Sequence, residues 1–140
     1  MTRRYNPPSG WPQNGRAFNH GVVAGEGRTI HLTGQVAWDG QGQLIGAGDC
    51  ERQVRQCFEN VEKILSAVGG VLPDIVSLTI FFLDPNDLPV IQKVRAEKFT
   101  AENAPASILI QTPRLVVPEL LVELVPIAVV PHARYHEPKW

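Results

Sequence analysis

Apolar residues recur at Val54, Cys57, Phe58, Val61, Ile64, Leu65 and Val68 with the spacing of a single helical face. This predicts a helix that begins after an Asp49 N-cap and stops at Gly69-Gly70. Residues 75–83, rich in Val, Ile, Phe and Thr, predict a central strand, and Asp84-Pro85-Asn86-Asp87 turns the chain into a second, less periodic helix over residues 88–101. Residues 106–112 and 120–130 predict two more strands. The second is so uniformly apolar that burial on both faces is expected.

Upstream, residues 18–24, 29–33 and 35–38 are short β-prone runs. Gly25-Glu26-Gly27 separates the first two as a hairpin turn would. Gly34 interrupts the apolar pattern, the mark of a bulge or of a close approach to the backbone. Residues 1–17 carry Pro7, Pro8, Gly10, Pro12 and Gly15 and are expected to form no regular element, with Trp11 as a candidate anchor.

The order strand, strand, helix, strand, helix, strand, strand gives an α+β class: a mixed sheet with both helices layered on one face. The opposite face then needs cover, and the apolar last strand points to self-association. A chain of 140 residues makes one domain, with a core over 16–130 and terminal extensions 1–15 and 131–140.

Thirteen Lys plus Arg against 14 Asp plus Glu leave a net charge of -1, so there is no basic field for nucleic acid. No apolar run is long enough to span a bilayer and no signal-like start is present, so a cytoplasmic protein with no membrane partner is expected. Cys50 and Cys57 fall within one predicted helix, where a disulfide is geometrically poor, and both are expected to be free thiols. His132 and His136 are bracketed by Pro131 and Pro138, and His20 and His31 have no triad partner in sequence, so neither a metal site nor a hydrolase triad is expected. No cofactor motif is present.

Four strings in sequence order carry a resemblance: Leu32-Thr33-Gly34-Gln35-Val36, residues 53–61 (QVRQCFENV), residues 79–87 (TIFFLDPND) and residues 122–128 (VELVPIA). Together they resemble the YjgF/RidA (L-PSP) family over about residues 16–130. The resemblance implies a chorismate-mutase-like fold and a homotrimer with small-molecule clefts between subunits. It also implies hydrolysis of reactive enamines and imines, such as 2-aminoacrylate, to a 2-oxo acid and ammonia; some members have instead been called endoribonucleases. In the deaminating members an arginine after Pro-Ala grips the substrate carboxylate, and the later glutamate of a V-E-I-E strand positions water.

This chain departs at both places. Pro105-Ala106 is followed by Ser107, and Val125 stands where the later glutamate is expected, leaving Glu123 on the same strand face as the candidate catalytic carboxylate. Without the forked cation a free carboxylate loses a contact worth about 1.5–3 kcal/mol, so serine by itself suits a neutral ligand. Phe18, Thr33, Gly34, Gln92 and Ser107 are the candidate ligand-binding residues, and Arg114, the nearest cation in sequence after Ser107, is a candidate for the role of the missing arginine, with a surface arginine in a turn as the plainer reading. A small C–N hydrolase and a non-catalytic metabolite-binding trimer are both compatible with these residues; RNA cleavage fits least. The aromatic tail with Tyr135 and Trp140 is a candidate cover for a cleft or a subunit boundary.

Overall fold

The computed structural model describes residues 1–8 and 17–140; Trp11 lies outside the described residues. The longest helix, α1 (Cys50–Ser66), starts where expected: Asp49 accepts a hydrogen bond from the Arg52 amide. Gly69, at φ 82°, ends it, and the Gly70 amide returns to the Leu65 carbonyl. Helix α2 (Leu88–Lys98) is shorter than its sequence suggests, because Phe99 leaves helical geometry to pack its ring edge-on against Phe58.

Four strands form the main sheet: β3 (Arg28–His31), β4 (Ile75–Phe82), β5 (Ala106–Gln111) and β6 (Val122–Val130), in the order β3-β6-β4-β5. Only the β4–β5 pair is parallel, with α2 as its crossover. Leu78, Ile80 and Phe82 of β4 and Val122, Leu124 and Ala128 of β6 meet Val54, Phe58, Val61 and Leu65 of α1 and Ile91 and Val94 of α2 in one core, so both helices lie on the same face. Full burial of each such side chain contributes about 1.5–3 kcal/mol.

The opposite face is left open by the described residues. Thr79, Phe81, Glu123, Val125 and Ile127 are only half-buried there, and Ile108 and Ile110 are exposed. Within the chain the last strand is buried on its helix-facing side, and its alternate side chains, half-buried, stop at a surface that the described residues do not cover.

Three expectations are corrected. Residues 1–17 do contain a regular element, since β1 (Arg3–Tyr5) pairs antiparallel with β2 (Gly21–Val23). Arg4 holds it in place by donating to the carbonyls of Ala104 and Pro73. The glycine pair at 25 and 27 is consequently not a hairpin turn: it carries the chain from the β1-β2 ribbon into β3, whose partner is β6. Residues 35–38 make only isolated bridges, Gln35 to Leu124 and Trp38 to Leu44.

Residues 131–140 are docked. Arg134 makes a bidentate pair with buried Asp74, the amides of His136 and Lys139 reach the carbonyls of Val68 and Ala67, and Arg28 lies 4.7 Å over the Tyr135 ring.

Both cysteines are free and buried. Burial, reinforced by Asp87, pushes the Cys50 thiol up to about 12, and burial raises Cys57 further. Neither is expected to react with iodoacetamide at about pH 8 unless the protein is unfolded, which mass spectrometry of alkylated native and denatured samples checks.

Candidate functional site

The edge strand β5 and the segment before β2 build one wall. Asn19 is buried; its side-chain amide donates to the carbonyls of Ala101 and Ala104, and its backbone amide donates to Pro105. These bonds clamp residues 18–20 against the start of β5 and bring Phe18, Ser77 and Ser107 around a cavity of about 280 Å³. Phe18 meets His20 edge-on at 5.3 Å, and Asn6 holds the His20 ring through Nδ1.

Ser107 does not face the open side of the sheet. It registers with Leu78 and shares the helix-facing side of β5 with Leu109. There its Oγ accepts a 2.6 Å hydrogen bond from Nη1 of Arg95, on α2. Nη2 of the same guanidinium donates to Oε1 of Gln92 one turn earlier. Arg95 is 1% exposed, and Gln92 borders a neighbouring cavity of about 390 Å³ with Phe82, Leu88 and Leu109.

Arg95 escapes the sequence reading, although a signal exists. Ile91, Val94 and Arg95 form an i, i+3, i+4 stripe, so a cation occupies a core-facing position on α2. Arg114 lies in the exposed loop after β5 and is turned back on the carbonyls of Leu115 and Val116; it does not line the Phe18–Ser107 cavity.

Thr33 and Gly34 lie elsewhere in the chain. They line a cavity of about 640 Å³ with Trp38, Asn60, Lys63 and Trp140, the last residue of the docked tail. Reciprocal bonds between Gln35 and Leu124 fix this segment across β6, and Asn60 of α1 donates to the carbonyls of Val36 and Trp38. The close approach foreseen at Gly34 is to Glu123: a Cβ there would lie 2.2 Å from its Oε2.

Glu123 registers with Phe81 on the open face of the sheet, on the same side as Val125, which registers with Thr79. Its carboxyl makes no hydrogen bond among the described residues, and desolvation raises its pKa above the ordinary value. Among the described residues no group of three or more His, Cys, Asp or Glu is arranged to hold a metal ion, and no helix is long and apolar enough to cross a membrane.

A family model described as Endoribonuclease L-PSP matches residues 11–130. The chain is 35% identical over 99 residues to the 3-aminoacrylate deaminase RutC of Acinetobacter baylyi, an alignment that covers 71% of this chain and 77% of that protein. It is 34% identical over 102 residues to a RutC family protein of Pyrococcus horikoshii, covering 73% and 79%. Among solved structures, a protein of unknown function of the conserved Rid family, YyfB from Yersinia pestis, superposes with a TM-score of 0.86 at 30% identity, covering 92% of this chain and 98% of that one. RidA from an Antarctic Psychrobacter superposes with a TM-score of 0.67 at 26% identity, covering 84% and 97%.

Proposed function

Because the chain belongs to the Endoribonuclease L-PSP family, the YjgF/RidA proteins, we propose that it forms a homotrimer whose clefts bind a small metabolite and hydrolyse an imine, enamine or related C–N compound. The observation that carries this reading is Glu123. It is a half-buried carboxyl with raised proton affinity, set against Gly34, where a Cβ would collide with it. A desolvated carboxylate with open lone pairs suits general acid–base work.

In this reading Glu123 takes a proton from water as the water oxygen bonds to the imine carbon. That proton passes to the nitrogen, giving the neutral carbinolamine; its hydroxyl proton then moves through Glu123 to the same nitrogen, and the C–N bond breaks to release ammonia and leave a carbonyl. An enamine first tautomerises to the imine. Phe18 supplies an apolar wall, while Ser107 and Gln92 supply polar contacts.

Within one subunit Glu123 and Gly34 do not share the Phe18–Ser107 cavity, so the proposal places them across a subunit boundary from it. The half-open sheet face with Phe81, Ile108 and Ile110 supplies the apolar surface for that association. A second reading, a non-catalytic metabolite-binding trimer, is favoured by Ser107 and Val125 standing where the deaminating pattern has its arginine and later glutamate.

The test combines mass and turnover. Light scattering is expected to give about three times 15.4 kDa. Fresh 3-aminoacrylate, the substrate in the relative's name, and 2-iminopropionate are then offered, and ammonia release is followed. Turnover of either supports the hydrolase. An intact trimer that turns over neither favours the binding protein, and a stable monomer overturns the inter-subunit cleft.

A further inference from the structure

We infer that Arg95 is a specificity-determining positioning residue that makes the Ser107 and Gln92 wall a hydrogen-bond-donating, carboxylate-selective surface. The inference rests on the proposed cleft but not on its chemistry.

A guanidinium has only N–H donors. Any atom it faces at hydrogen-bond distance must therefore accept, which fixes the state of both neighbours. Ser107 Oγ spends a lone pair on Arg95 Nη1 and its hydrogen must point away from the cation. The Gln92 amide is likewise held with Oε1 toward Arg95, so its Nε2 hydrogens point away.

Each neighbour thus offers a donor on the side that does not face Arg95. Ser107 borders the cavity with Phe18, and Gln92 borders the one beside Leu109. Ser107 and Leu109 are successive residues on one face of the edge strand, about 7 Å apart, so the two cavities flank the same polar wall. Behind the wall lies a positive charge at 1% exposure, where its field is screened far less than that of a surface cation.

A ligand meeting this wall sees donors backed by a buried cation. A carboxylate meets both the donor and the charge behind it; a primary amide offers the donor its carbonyl oxygen but brings no charge for the cation to favour, and is bound less tightly. Serine alone suggests a neutral ligand, and Arg95 reverses that expectation. Nothing here makes Arg95 a catalytic residue, since it acts through the two side chains that it holds.

The experiment is calorimetric titration with pyruvate and with pyruvamide, which share a shape and neither of which is hydrolysed at an imine. Wild type is expected to bind the acid at least about ten-fold more tightly than the amide, as a charge-assisted contact provides. Gln92→Glu keeps the size of the side chain but sets a carboxylate against the guanidinium, so that its negative charge offsets the field of Arg95 and its donor is lost, and the preference is expected to fall below about two-fold. Arg95→Met is expected to do the same, and Arg95→Lys to restore part of the preference. If Arg95→Met does not fold, Gln92→Glu decides alone.

Equal or better binding of the amide by wild type, survival of the acid preference in Gln92→Glu or in folded Arg95→Met, or no saturation with either ligand at about 10 mM would each overturn the inference. Acid preference without imine turnover leaves it standing and removes only the hydrolase reading. Turnover with an amide preference does the reverse.

Discussion

Glu123→Gln is expected to lower turnover of an imine substrate by about 10²–10⁴-fold while leaving the melting temperature within about 2 °C of wild type. Glutamine retains the shape of the side chain and its place against Gly34, but it cannot take a proton from water. The fold is expected to tolerate the change because the carboxyl is bonded to no described residue, so no paired donor is stranded when an oxygen becomes an amide NH2. A structural carboxylate would behave oppositely: the amide would cost about 1–3 kcal/mol and lower the melting temperature with turnover unchanged.

The pH dependence separates the two roles further. Desolvation raises the folded-state pKa of Glu123, so the native protein holds this proton more tightly than the unfolded chain. The contribution of this group to stability is full below the ordinary glutamate pKa and is lost as pH rises through the raised folded value. Glu123→Gln removes that decline. Because a general base must be ionised, the acidic limb of kcat/KM is expected above the ordinary carboxylate range, and it should disappear with the residual activity of the variant. An acidic limb unchanged in Glu123→Gln would assign the titration, and the base, to another group.

The parts of the fold that were legible in the sequence are those set by local periodicity. The α1 stripe from Val54 to Leu65, its Asp49 cap and its glycine stop stand where the spacing puts them, because an amphipathic helix needs only its own residues to define its face. The alternation that places Glu123 and Val125 together is equally local.

What was hidden depends on distant partners. The strand Arg3–Tyr5 carries no periodic signal and exists because β2 offers a ladder and Arg4 finds two carbonyls far along the chain. The glycines at 25 and 27 look alike whether they close a hairpin or carry the chain between two sheets; pairing with β6 decides. Arg95 was visible only as a cation on an apolar stripe, and its neighbours Ser107 and Gln92 belong to two elements that sequence cannot place side by side.

Gln53→Leu is expected to destabilise the protein by about 3 kcal/mol, or about 10 °C in melting temperature, although it replaces a polar residue in the core with an apolar one of similar size. Gln53 lies in the same helical string as Val54 and Cys57 and is 0% exposed. Its amide nitrogen donates to the carbonyls of Gly46 at 3.1 Å and Glu119 at 3.0 Å, and its oxygen accepts from the Leu121 amide at 2.8 Å. One side chain therefore ties the loop entering α1 to the segment that enters β6, just before Glu123. Leucine would fill the space but leave two carbonyls and one N–H without that partner, each costing about 1–3 kcal/mol where water does not reach. Gly46 and Glu119 border solvent, which keeps the sum below its upper bound. Gln53→Glu is expected to be at least as damaging, because it keeps the acceptor for Leu121 while setting a carboxylate against two carbonyls. Chemical denaturation of the two variants checks this. A loss under about 1 kcal/mol in Gln53→Leu would mean that water replaces all three bonds and that the entry to β6 is held by the sheet alone.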